Sequence, residues 1–245
     1  MGFNPTYELQ GLPGLRKPFT PTPGLSIAPH KTPHYEGTGG VFFRLSSDES
    51  DERIALLTCA HVVHPPPEFK NKAYTRKFDS KAREDIILLG SESFNESVGA
   101  IMKFIGNETK AIASWETPLS KILPPTDNEA PGITAKRNEL TGFIGAAKDK
   151  IRAANDLHTY VTKNYTFTDT RILGFVLHCA KIEVGADGFM HDWAFIQLDA
   201  NKLEEEHFKG NKLFVGALVF SLFFPLVVFF SLTRPFVDRR QQDGC

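Results

Sequence analysis

Two short apolar runs, "VFFRL" and "IALLTCA", flank an acidic, serine-rich stretch, "SSDESDER", and together they constrain the fold most. Each run is too short for a stable helix and is rich in branched and aromatic residues. The stretch between them has nothing to bury, so the pattern predicts a β-hairpin. Glycines in "GTGG" precede the first strand, where they permit close backbone approach or positive φ. The second strand runs on through "LLTCAHVVHPP". It sets His61 where a buried strand gives way to a loop, and a proline triplet then ends the segment.

The flanking segments divide the chain. Residues 1–36 carry seven prolines, at 5, 13, 18, 21, 23, 29 and 33. Proline fixes its own φ and biases the preceding residue away from the helical region, so an extended arm lying on the domain surface is expected. "EDIILLG" and "ESVGAIMKFI" read as two further short strands. Over 134–163 the character changes. Leu140, Phe143, Ile144, Ala147, Ile151, Ala154, Leu157 and Val161 recur at helical spacing, with Lys148, Lys150, Arg152 and Asp156 on the other face. One long amphipathic helix, packed against a sheet, follows from that period. "TRILGFVLHCAKIEVG" and "DWAFIQLDANK" return to strand character, with Gly185, Asp187 and Gly188 marking the turn between them. In the second of these strands Ala194, Ile196 and Leu198 make one small aliphatic face.

Composition removes several function classes. Charged residues make up 23% of the 245 and nearly cancel, at net −1. Nucleic-acid binding by bulk charge needs a Lys/Arg excess that is not there. No phosphate loop or nucleotide fingerprint occurs. Cys59, Cys179 and Cys245 are too few for a disulfide scaffold and too scattered for a zinc site, which points to a reducing compartment. No metal or cofactor is expected. His30/His34 and His61/His64 are close in sequence, but solvated or core histidines account for them better than metal ligands do. Thr170-Arg171 and "KLEEEHFKG" read as solvated edges.

"GTGGVFF", then "LLTCAHVV", then "HDWAFIQLD" resembles the first half of a trypsin-like (chymotrypsin-fold) serine protease, closest in arrangement to fungal members of that family. The resemblance implies a mainly β fold over 37–212: the first barrel of a two-barrel fold, interrupted by the helical insertion near 134–163. It implies His61 as general base and Asp192 as the acid that orients it. Asp85 and Asp187 are rival acids, with Asp192 preferred for its strand context. The chemistry explains the residue types: a hydroxyl is a weak nucleophile without a base, and a buried carboxylate fixes the imidazole tautomer. The chain departs from the family in one decisive way. It has no Gly-x-Ser-Gly stretch, and Ser46, Ser47, Ser91, Ser97 and Ser221 lack a glycine-flanked turn that would expose the hydroxyl beside backbone N–H donors. The second barrel is absent, so the expectation is an incomplete serine endopeptidase, inactive as written. Its substrate or ligand would be a polypeptide.

The tail, 213–245, is different again. "LFVGALVFSLFFPLVVFFSL" at 213–232 is uncharged and long enough to span a bilayer, and Arg234, Arg239 and Arg240 follow it. Either it is a membrane anchor, or it is read-through of non-coding sequence that would also explain the missing serine half. The second reading is preferred here. The first supports an alternative function, a single-pass membrane-anchored binding protein without catalysis. The N-terminus shows no apolar signal segment; location stays open, and is intracellular or membrane-associated if the tail is real.

Overall fold

A computed structural model of the chain describes residues 12–202, apart from positions 49, 67, 79, 123 and 125–128, together with residue 211. The tail at 213–245 lies outside the described residues. Among them no helix is long and apolar enough to cross a membrane.

The chain forms a curled antiparallel sheet, a half-barrel in outline, with a long helical pair inserted into it. In order the elements are α1 (Pro13–Arg16), β1 (Ser26–Pro29), β2 (Gly37–Thr38), β3 (Phe42–Arg44), β4 (Ile54–Thr58), α2 (Ala60–Val63), β5 (Tyr74–Thr75), β6 (Asp85–Leu88), α3 (Ser91–Leu119), α4 (Pro131–Tyr165), β7 (Ile172–Cys179), β8 (Glu183–Val184), β9 (Met190–His191) and β10 (Ala194–Leu198). The main sheet runs β2-β1-β6-β7-β10-β4-β3, with β5 also on β7. Its two terminal strands are consecutive pieces of one segment. Gly39 N–H donates to Leu25 O at 2.9 Å on the β1 side, and Gly40 N–H donates to Leu57 O at 2.7 Å on the β4 side. The sheet therefore curls until both ends meet in the glycine-rich stretch.

Close approach, rather than positive φ, explains these glycines. A Cβ on Gly37 would lie 2.3 Å from Val62 Cγ2, and one on Gly39 would lie 2.7 Å from Leu56 Cδ2. The expected hairpin is present, with Phe42 opposite Leu56 and Arg44 opposite Ile54. So is the aliphatic face of β10: Ala194, Ile196 and Leu198 point into the core with Ile27, Leu56, Ile86, Leu173 and Val176.

Four expectations need correction. The proline-rich arm is not wholly peripheral: β1 lies between β2 and β6, and Ile27 and Ala28 are fully buried. Proline is tolerated because Pro29 ends the strand, where its missing N–H and extended φ disturb nothing. "ESVGAIMKFI" is not a strand but part of the 29-residue α3. Phe94, Val98, Ile101 and Ile105 recur at helical spacing, and Ile101 is fully buried. The branched residues look strand-like locally, but the apolar stripe they make is covered by α4, and that packing overrides propensity.

The third concerns α4, which was expected to pack against a sheet. It spans Pro131–Tyr165, close to the expected bounds, but its principal partner is α3. The two run antiparallel, with Lys150 Nζ 3.6 Å from Glu108 Oε1 and the Trp115 and Phe143 rings 5.5 Å apart. Only the α4 residues nearest its C-terminus, Ala154, Leu157, Val161 and Tyr165, join the core shared with the sheet.

The roots of this helical pair are tied to the sheet. Glu36 Oε1 accepts the backbone N–H groups of Glu92 at 2.7 Å and Ser93 at 3.0 Å, so a carboxylate distant in sequence caps the start of α3. Arg171, expected at a solvated edge, is only 3% exposed. Its Nη1 donates to Leu89 O at 2.6 Å and Gly90 O at 3.0 Å, and its guanidinium sits 4.6 Å from the centre of the Phe94 ring.

Candidate active site

Register brings the two site residues together. In the β4–β10 pair Ala194 lies opposite Thr58. Continuing that antiparallel register by two residues sets Asp192 opposite Ala60, beside His61. β4 ends at Thr58, whose Oγ1 donates to Thr38 O at 2.8 Å. The chain then turns through Cys59 into the single turn α2, which carries His61. Val62 of that turn rests against Gly37, so the first glycine of "GTGG" seats the histidine turn on the sheet. On the other side Trp193 stacks on His178 at 4.9 Å and pins the residue that follows Asp192.

Asp192 grips His61 twice. Its Oδ2 lies 2.6 Å from His61 Nδ1, and its Oδ1 accepts the His61 backbone N–H at 3.1 Å. Burial opposes ionisation of Asp192. The hydrogen bonds from the His61 ring and backbone outweigh it, so the carboxyl sits below the usual carboxylate range. An ionised carboxylate can only accept, so Nδ1 carries the proton. In the neutral ring Nε2 then holds the free lone pair. The His61 side chain is 54% exposed and that of Asp192 is 26% exposed, so the imidazole reaches solvent while the carboxylate is partly sheltered.

The rival acids are engaged elsewhere. Asp85 accepts from Arg83, which also reaches Asp199. Asp187 lies 3.6 Å from His191 Nε2 in the turn between β8 and β9. The other histidines also have separate partners: His64 pairs with Glu84 and His30 with Asp169. Neither His30/His34 nor His61/His64 forms a shared ligand set among the described residues. Ser46 and Ser47 follow β3, Ser91 opens α3, and Ser97 in α3 donates to Ser93 O at 2.6 Å. Ser221 lies outside the described residues. Among the described residues no hydroxyl is hydrogen-bonded to His61.

One neighbour was not expected. Cys59 opens to solvent beside the pair. Its sulfur, a His61 ring nitrogen and an Asp192 carboxylate oxygen all lie within 4.8 Å of one another. Burial pushes the Cys59 thiol up and the Asp192 charge adds to it, so it is not an activated thiolate. Cys179 is buried beneath α2, its thiol pushed up to about 12 by burial, with Glu84 and Asp192 adding to the effect. The nearness of Cys59 was readable in principle from Cys-x-His at a strand end. Its closeness to Asp192 depends on the β4–β10 register, which spacing alone does not reveal.

Acid should loosen this grip. Because the folded-state value of Asp192 is depressed, its contribution is fully present above the ordinary carboxylate range, near pH 4. It fades as pH falls through the lower folded value. For so exposed a partner the contribution is about 1 kcal/mol. Thermal unfolding between pH 2 and pH 7 should show wild type losing this increment at the acid end, while Asp192→Asn lacks it throughout. Parallel curves for the two proteins would rule the linkage out.

Compared with protein-family models, curated proteins and solved structures, the chain matches none.

Proposed function

We propose that His61 and Asp192 are the general base and orienting acid of a trypsin-like serine endopeptidase. They are carried on the first barrel of that fold, and the nucleophile is missing from these 245 residues. The observation that carries this reading is the 2.6 Å contact from Nδ1 to a carboxylate 131 positions away, with Nε2 hydrogen-bonded to no hydroxyl among the described residues and the ring open to solvent. Support comes also from the surroundings. The pair sits at the ends of two interior strands of a curled antiparallel sheet, with the base just past the end of one strand and the acid just ahead of its hydrogen-bonded neighbour.

In such a pair the Nε2 lone pair takes the proton of an attacking hydroxyl and later delivers it to the leaving amine. The carboxylate holds the ring in the working tautomer and stabilises the imidazolium. The described residues supply base and acid and no hydroxyl at the base, so they do not complete the step alone. Its substrate class is a polypeptide.

The purified chain should neither cleave fluorogenic peptides nor react with a fluorophosphonate probe. The mature transcript should be sequenced downstream of the Asn211 codon. A message whose frame continues into a Gly-x-Ser-Gly turn should yield a product that reacts with the probe, and His61→Ala should abolish that reaction. If only messages ending at the Cys245 codon are found, or if the longer product is labelled equally well after His61→Ala, the endopeptidase reading fails. The fold would then serve binding.

A further inference from the structure

Three side chains at the end of β4 and the start of β10 have the chemistry of metal ligands: a thiol, an imidazole and a carboxylate. Donor atoms of Cys59, His61 and Asp192 lie within 4.8 Å of one another. A tetrahedral zinc site with bonds of 2.0–2.3 Å has ligand–ligand edges of roughly 3.5 Å. The gap between those values is within reach of side-chain rotation, because Cys59 and His61 both face solvent. The same exposure leaves an entry path and room for water at a fourth position. The carboxylate is already held from behind by the His61 backbone N–H on Oδ1 at 3.1 Å, while Oδ2, now 2.6 Å from His61 Nδ1, would exchange that partner for a cation. Outer contacts of this kind orient metal ligands.

We propose that Cys59, His61 and Asp192 bind one thiophilic divalent cation of the Zn²⁺ class, in an open three-ligand site that competes with the pairing of base and acid. Thiolate and imidazole donors favour zinc over Mg²⁺ or Ca²⁺, which prefer all-oxygen sites. Binding replaces the thiol proton with the metal, and that proton goes to solvent. The imidazole lone pair joins the metal through one ring nitrogen while the proton resides on the other. No lone pair then remains to accept a proton from a hydroxyl. The cation therefore switches the base off. The metal site stands on its own residues, whereas the description of it as a switch rests on the function proposed above.

The test uses Co²⁺ as a spectroscopic substitute, titrated into the full chain under a phosphine reductant. One equivalent should raise a thiolate-to-cobalt charge-transfer band in the near ultraviolet. One equivalent of Zn²⁺ should remove it, and excess Mg²⁺ should not. Cys59→Ser should eliminate the band, and His61→Ala and Asp192→Asn should each weaken binding about tenfold or more. A Cys179→Ser/Cys245→Ser double variant should retain the band, which isolates Cys59 from the other two thiols. No band, a band that survives Cys59→Ser, or affinity indifferent to His61→Ala would overturn the site. The two proposals fail separately. A His61 Nδ1 proton resonance that disappears in Asp192→Asn reports the base–acid pair without metal. If that signal is present and cobalt does not bind, only the metal site falls. If cobalt binds and no serine-bearing product exists, only the enzyme reading falls.

Discussion

Replacing Arg171 with alanine should lower stability by about 3 kcal/mol, because three losses coincide at one buried residue. The guanidinium donates to Leu89 O and Gly90 O, and among the described residues Leu89 O has no other donor. It also lies over the Phe94 ring at the first turn of α3, and its long stem fills space in the core. The peptide it holds is itself strained. Leu89 has φ 58°, in the left-handed region that costs a bulky residue about 1–2 kcal/mol. Without Arg171 that turn loses the contact that over-determines it. Arg171→Met separates packing from hydrogen bonding, since it keeps most of the volume and leaves the Leu89 carbonyl unpaired. Urea unfolding should place Arg171→Met between wild type and Arg171→Ala. A midpoint for Arg171→Ala within experimental scatter of wild type would show that the clamp does not hold the insertion.

Gly174→Ala should be at least as damaging, again about 3 kcal/mol. Gly174 lies in β7, with Ile86 of β6 opposite it on one side and Leu198 of β10 on the other. An added Cβ would fall 2.1 Å from Gln197 O, which is backbone and cannot rotate away. Relief requires β7 and β10 to part, which breaks the ladder that positions Asp192. The variant should therefore unfold early and also lose the His61–Asp192 contact. Thermal unfolding reads the first effect, and the His61 Nδ1 proton resonance reads the second. Gly99→Ala on the open face of α3, where a Cβ meets nothing within 4 Å, is the matched control.

What the sequence made legible follows from the range of the forces involved. The hairpin at 42–58 and the aliphatic face of β10 were readable because alternation and turn chemistry are local. The helix over 134–163 was readable because its stripe is long and strictly periodic. His61 and Asp192 were matched by resemblance, and their contact distance came only with the strand register. The misread elements share a different cause. Ser26–Pro29 looked like an arm because prolines dominate its neighbourhood, yet three buried residues, Ile27, Ala28 and Pro29, suffice to hold it between strands. Val98 and Ile101 looked like strand residues until α4 supplied a surface for them. Arg171 looked solvated because a charge in a polar stretch usually is, and only distant carbonyls at Leu89 and Gly90 reveal why it is buried. Cys59 looked scattered because only the other cysteines were weighed as its partners, and Asp192 reaches it only through the β4–β10 register.

The helical insertion also bears on how the chain finds its fold. β6 ends at Leu88 and β7 begins at Ile172, and the two must pair side by side. Closing a flexible loop of that length would carry a large entropic penalty before any contact repaid it. Two antiparallel helices of nearly matched length avoid most of it. Each forms from contacts local in sequence, on the fast timescale of helix formation, and once paired their outer ends return to one place. Once α3 and α4 have zipped, Leu88 and Ile172 meet as though joined by a short turn. A segment that looks like an interruption of the sheet thus acts as the tether that lets its central pair of strands form.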